Sequence, residues 1–247
     1  MRYLFYICLA LLFFLFHRPS AASEDVMRFP VTDWQPFSIG KEPPYAGVDV
    51  DIARVIAKRM KLKLELYACP FKRCLKQIEV GTLDVMSGVA FNEERAAFMD
   101  YIKETPYGQV SVAFYVRTGQ ADQVVSYEDL GKYTVGMVRG SHYFERFNSD
   151  EILRKYKAPT ESFLLPMLAG GRLGVIIGTN PNLDYQILQG GYKGQFEEAR
   201  FNPQIQVPIY FAISNKSPLR KYKDKFHRIL KDMKNDGTLE NIYAKYR

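Results

Sequence analysis

Cysteine is scarce in this chain, three among 247 residues, and histidine is equally rare. Cys8 lies inside an apolar amino-terminal run, which leaves Cys69 and Cys74 in the stretch CPFKRC. Two thiols with no histidine nearby make a poor zinc site. No histidine is placed in sequence to suggest a cysteine–histidine dyad. A disulfide is the favoured reading beside these two, open to a five-residue separation only where a loop-to-helix joint brings the two Cβ atoms together. Past the amino terminus no apolar run is long enough to span a bilayer. Internal repeats, low-complexity tracts and nucleic-acid motifs are also missing. The net charge is +7, but the lysines are spread over helix faces. That dispersion argues against a nucleic-acid partner and leaves a weak attraction for anionic solutes.

The amino terminus reads as a cleavable secretory signal. Arg2 supplies the charge, residues 7–16 the apolar core and Ser20-Ala21-Ala22 a small-residue cleavage site, with the cut after Ala22. A membrane anchor is the competing reading, but the run is short and His17, Arg18 and Pro19 end it. Cys8 sits within the core rather than beside the cleavage site, which argues against a lipid-anchored start. Loss of Arg2 and Arg18 leaves a mature charge of +5. Such a chain is expected to be exported, to be periplasmic and soluble, and to meet an oxidising compartment in which Cys69 and Cys74 can pair. Its length suits two modest lobes better than one core.

The stretch from Gly47 to Arg95 carries the organisation. Asp49 is placed to cap a helix, Asp51 adds charge to its first turn, and Ile52, Val55, Ile56 and Met60 recur at helical spacing. Leu62, Leu64 and Leu66 alternate with Lys63 and Glu65 as a strand. Cys74, Leu75 and Ile78 fit a second helix closed by Gly81, and Leu83 to Ser87 a second strand. Alternating strands and helices imply a parallel sheet, whose ligands bind beyond the carboxyl ends of the strands. Arg95 follows directly.

The order and spacing of Gly47, Asp49, Asp51, Gly81, Asp84, Glu94 and Arg95 resemble the periplasmic solute-binding proteins of ABC transporters, in the family that binds polar amino acids. The similarity continues through Thr105-Pro106-Tyr107, Ser126 to Leu130, Val135-Gly136, Gly140-Ser141 and the tail from Asn235 to Tyr243. It implies an α/β, two-lobed periplasmic-binding-protein fold of type II, each lobe a sheet flanked by helices, joined by two hinge crossings. Lobe one is expected over 24–109 and 206–247, with lobe two inserted at 110–205. In lobe two, Tyr133 to Val138 reads as a strand, Ser141 to Phe147 as a turn into a helix, Ser162 to Ala169 as a helix, Leu173 to Ile177 as a strand and Asn182 to Gln189 as a helix. The tail carries an amphipathic helix stopped by Gly237, and Thr238 caps a last short one. The implied protein is a monomer without cofactor that captures a small molecule and presents it to an ABC permease.

Arg95 is the leading site residue, since a guanidinium presents paired donors to a carboxylate. In the resembling family this arginine holds the ligand's carboxylate; the alternative is a surface arginine paired with Glu93 or Glu94. Gly88 permits close approach of backbone. Ala90 stands where the family usually has a hydroxyl donor. Gly140 and Ser141, ahead of a helix, are expected to offer N–H groups to the same anion. Gly178, followed by Thr179, replaces the aspartate that pairs with an α-ammonium in the family; Asp184 is a possible substitute. Trp34 and Phe37 in TDWQPF, with Phe71 and Tyr45, are candidates for stacking on the ligand. His142 has only a small claim to ligand contact.

Two other functions fit the same scaffold. One is a sensor or accessory protein that docks on a receptor. The other is an enzyme that dehydrates a small acid, as a few relatives of this fold do, for which Asp33, Glu42 or Asp184 would have to act as acid or base. Nothing marks any of the three, so no catalytic residue is assigned.

Overall fold

The computed structural model describes residues 25–246; the expected signal segment, with Cys8, lies outside them. The described chain opens with β1 (Val26–Val31), α1 (Val48–Met60), β2 (Lys63–Ala68), α2 (Phe71–Val80), β3 (Val85–Val89), the single turn α3 (Glu93–Ala96) and β4 (Met99–Tyr101). β1 and β2 pair in parallel. α1 starts from Gly47, whose φ of 114° and whose hypothetical Cβ, 2.3 Å from the Phe37 carbonyl oxygen, admit only glycine. Asp49 is not the cap. It lies in the first turn, 2 % exposed, and its carboxylate is bonded inside the lobe. Gly81 closes α2 in the left-handed conformation, as the sequence implies.

The long strand β5 (Gly108–Arg117) carries the chain into β6 (Val135–Val138), α4 (Glu145–Ser149), β7 (Lys155–Ala158), α5 (Glu161–Ala169), β8 (Val175–Asn180), α6 (Asn182–Gln189) and β9 (Phe196–Glu198). β10 (Gln206–Ser214) returns it to α7 (Lys223–Asn235) and α8 (Thr238–Ala244). The strand order is β3-β10-β5-β8-β6-β7, with β4 on β10 and β9 on β5. β6 runs parallel to β7 and β8, whereas β10 is antiparallel to β3, β4 and β5. The sheet is therefore mixed, not purely parallel. The reason is that the two crossing strands lie side by side in opposite directions, Val207 opposite Val110 and Ile209 opposite Gly108.

Alternation along these strands sorts the core into two lobes. Ile209, Phe211 and Ile213 of β10 join Met27, Phe29, Ile52, Ile56 and Phe226, while Ala212 on its other face meets Cys74, Ile78, Leu83 and Met86. Val112, Phe114 and Val116 of β5 join Phe147 and Val175, while Ala113 and Tyr115 meet Leu164, Leu168, Ile176 and Leu183. Each lobe thus buries both faces of its own strands.

The tail packs on the first lobe through Phe226, Ile229, Leu230 and Met233 of α7. Gly237, not Thr238, is the residue preceding α8; the Thr238 hydroxyl accepts from Arg59 at 3.1 Å. From α8 the Tyr243 hydroxyl donates to the Tyr107 carbonyl at 3.1 Å, and the nearby Tyr246 hydroxyl accepts from the Gly47 N–H at 3.0 Å. Among the described residues no helix is long and apolar enough to cross a membrane.

Candidate functional site

A cavity of about 70 Å³ opens between the lobes beside the two crossings. Its first-lobe wall comes from the loop after β1 (Thr32, Trp34), the start of α2 (Phe71), β3 and the residue after it (Ser87, Gly88, Ala90), and Arg95. The opposite wall is Val138, Ser141, His142, Tyr143, Pro159, Thr160, Glu161 and Thr179. Val110, Val207 and Ile209 of the crossings form its apolar base.

Arg95 sits in α3, whose start is fixed by the Asn92 side chain accepting the Arg95 N–H at 3.0 Å. The residue is only 4 % exposed. Its Nη1 donates to the Ala90 carbonyl at 3.3 Å and its Nη2 to the Gly140 carbonyl at 2.8 Å, and the Phe71 ring lies 5.4 Å from the guanidinium carbon. No ion pair joins it to Glu93, Glu94 or any other described carboxylate. Burial lowers its pKa from the ordinary value, with Tyr101 and Glu94 opposing. A buried cation whose close hydrogen bonds go to neutral carbonyls, with no carboxylate paired to it among the described residues, retains a strong demand for an anion.

Gly88 holds a φ of +66°, and a Cβ there would come within 2.9 Å of the Trp34 ring. Its N–H is engaged within the protein, donating to the Tyr107 hydroxyl at 2.9 Å. Tyr107 in turn donates to Asp49 Oδ1 at 2.6 Å, and Ser87 to Asp49 Oδ2 at 2.7 Å. Burial pushes the Asp49 carboxyl up to about 7 although both hydroxyls pull it down. This polar chain stands behind the first-lobe wall and locks its shape.

Several expected residues sit elsewhere. Phe37 is 2 % exposed, stacks on Trp34 with ring centres 4.4 Å apart, and does not reach the cavity. Gly178 is buried in β8, where a Cβ would lie 2.7 Å from Leu183 Cδ2; Leu183 fills the space a longer side chain would need. Thr179 next to it does reach the wall. Gly140 offers its carbonyl to Arg95, not an N–H to an anion, and the Ser141 N–H donates to Val138 O at 3.2 Å. The helix expected to follow them begins only at Glu145 and is five residues long. Asp184 accepts from Tyr115, away from the cavity. Tyr45, Asp33 and Glu42 do not line it either. His142 does, half-buried, with Nδ1 3.1 Å from the Asn92 amide. Burial, then Arg95, lowers its pKa.

Glu161 is a residue that sequence reasoning missed. It is 7 % exposed at the start of α5 and lines the cavity. An acidic residue in the first turn of a helix ordinarily complements the dipole in solvent, so nothing local signals its burial. Cys69 and Cys74 form a disulfide across Cα atoms 5.6 Å apart, bracketing Phe71. Among the described residues no cluster of three histidine, cysteine or carboxylate side chains could hold a metal.

The cleft is bridged by hydrogen bonds: Arg95 to Gly140, Asn92 with His142, and Asn182 Nδ2 to the Gln35 carbonyl at 2.8 Å.

Comparison with known proteins agrees with this architecture. The family profile of bacterial extracellular solute-binding proteins, family 3, matches residues 30–247. A probable amino-acid-binding protein of Bacillus subtilis (strain 168) is 25 % identical over 215 residues, covering 85 % of this chain and 79 % of its own. An arginine-binding periplasmic protein of Mannheimia haemolytica is 25 % identical over 224 residues, covering 86 % and 87 %. The crystal structure of a mutant arginine-binding protein from T. maritima superposes with a TM-score of 0.78 at 17 % identity, over 90 % of this chain and 94 % of that one. A histidine kinase sensor domain similar to periplasmic binding proteins also superposes at 0.78, with 20 % identity, over 90 % and 95 %.

Proposed function

This chain belongs to the bacterial extracellular solute-binding proteins of family 3 and has the two-lobed type II binding-protein fold, and from that premise we propose that it captures a small carboxylate-bearing solute in the cleft, in the periplasm, as a monomer. The lobes divide at 24–109 with 206–247, and at 110–205, and the β5 and β10 crossings bend as the hinge. The carrying observation is Arg95, buried on the cavity wall with carbonyl oxygens but no carboxylate for company. A solute carboxylate takes the guanidinium donors that Ala90 and Gly140 leave unused. Trp34 and Phe71 cover it, and Ser141 and Thr179 meet it from the other lobe. Contacts made to both lobes at once hold the closed form, which is handed to an ABC permease. The protein performs no chemistry on the solute. The named binding relatives, rather than any feature of the cleft, favour delivery over sensing.

The test is thermal unfolding of the mature protein with a panel of amino acids and organic acids. A solute that binds only the native state raises the midpoint. Arg95→Ala should lower affinity at least about 100-fold, since the charge-assisted contact it removes is desolvated. An unchanged midpoint shift in Arg95→Ala would overturn the assignment.

A further inference from the structure

A second cavity, a groove of about 460 Å³, lies along the flank of α6, outside the cleft that holds Arg95. Phe37 and Val48 line it from the first lobe, Tyr185 and Leu188 from α6 of the second, and Tyr243 and Tyr246 from the carboxyl-terminal tail. None of these six residues lines the Arg95 cavity. The volume falls in the usual span of small-molecule sites, roughly 300–1,000 Å³.

The lining is aromatic and apolar with one ionised exception. Asp184 also lines the groove, on α6 one helical turn before Leu188. Its Oδ1 accepts from the Tyr115 hydroxyl, and no lysine or arginine pairs with it among the described residues. Glu198 adds a second negative charge 3.3 Å from that hydroxyl, and it too lacks a basic partner among them. On a helix surface a neutralising base would stand four residues on. This chain has Leu188 there, 53 % exposed. The tail tyrosines turn their hydroxyls to the protein: Tyr243 donates to the Tyr107 carbonyl, and Tyr246 accepts from the Gly47 N–H and donates to Asp51 at 3.1 Å. Ring surface is therefore what they offer the groove. No lysine or arginine of the described residues stands over Tyr185 or Tyr246.

These walls favour an apolar body, and the carboxylates and open ring faces favour a positive charge on it. The same carboxylates repel an acid. The groove is also built from both lobes, and the Asn182 Nδ2 to Gln35 carbonyl bond crosses between them next to Pro36 and Pro181, which line it too. An occupant that touches both walls stabilises this arrangement of the lobes over any in which the walls part.

We propose that the groove is a second ligand site, for carboxylate-free organic cations with an aromatic or branched apolar body, and that its occupant clamps the lobes from outside the cleft. The site goes beyond the solute-binding reading above and uses none of the side chains assigned there.

The experiment is calorimetry of the mature protein with benzyltrimethylammonium, benzyl alcohol and benzenesulfonate. In the wild type the cation should bind about 10-fold or more tightly than the alcohol, and the sulfonate should not bind. Asp184→Asn should weaken the cation about 5-fold, since that carboxylate is exposed. Leu188→Arg carries its own guanidinium to Asp184 and should abolish binding with the melting point kept. Arg95→Ala should leave the cation's affinity unchanged. Spin labels at Val80 and Ile152 should give a narrower distance distribution when the cation is added without any solute. No binding of the cation, equal binding of the alcohol, or binding lost in Arg95→Ala would overturn the site. An unmoved distance distribution would overturn the clamp. Self-association in sedimentation that Leu188→Arg abolishes would mean that a second copy of the chain covers the groove, which also overturns the proposal. None of these outcomes bears on carboxylate capture, which the acid panel and Arg95→Ala read separately.

Discussion

At the scale of single residues, two features of the first-lobe wall lead to measurable expectations. Gly88 has a left-handed backbone and the Trp34 ring where a side chain would be. Gly88→Ala should destabilise the protein by about 1–3 kcal/mol in chemical denaturation and weaken solute binding through the displaced ring. Asp49 and Glu161 are both carboxyls whose pKa in the fold, about 7, exceeds the values of 3.8 and 4.5 they start from. The folded state therefore holds their protons more tightly than the unfolded chain does. Their stabilising contribution is complete below about pH 4 and is lost as pH climbs through about 7. Stability measured by denaturant should fall between about pH 4 and 7, the interval between the unfolded and folded values, and Asp49→Asn should flatten about half of that slope. A slope identical in Asp49→Asn would contradict the role of burial at that position.

At the scale of elements, the disulfide loop offers the clearest case. Cys69 and Cys74 bracket the start of α2, and between them Phe71 lies against Arg95 while Lys72 packs on Gly140 of the other lobe. Replacing both cysteines by serine should cost about 2 kcal/mol, the value for closing so short a loop, and should lower solute affinity because Phe71 loses its anchor. Melting with and without reductant checks the first part, calorimetry the second. This scale is also where the sequence was most legible. Helices with a clear apolar period, such as Val48–Met60 and Lys223–Asn235, and the segment Asn182–Gln189 lie where the pattern puts them. The pattern misled at Tyr143, Phe144 and Phe147, where a helix was expected directly after the turn at 139–142 and begins only at Glu145. Those rings pack on one another and on Phe114 and Tyr127, which a short irregular segment accomplishes as well. Arg95 was legible because it follows a strand that ends at the cleft. Glu161 and the buried state of Asp49 were not, since the groups that enclose them, Gln186 and Tyr107 among others, are distant in the chain.

At the scale of the whole molecule, the lobes meet through Arg95–Gly140, Asn92–His142 and Asn182–Gln35. If the crossings bend, spin labels at Val80 in the first lobe and Ile152 in the second, both exposed, should show a shorter, narrower distance distribution once solute is added. Arg95→Ala should leave the distribution unmoved by solute.

The last helix bears on how such a protein can be instrumented. Tyr243 and Tyr246 tie α8 to the root of the first crossing and to the start of α1, and a Cβ on Gly108 would collide with the Tyr243 hydroxyl at 2.3 Å. A fluorophore or surface-immobilisation handle fused at the carboxyl end is therefore coupled mechanically to the bending region. A bulky fusion there should shift the apparent solute affinity, and a small environment-sensitive dye there should brighten or dim with occupancy, whereas the same dye on an exposed loop of the second lobe should stay silent.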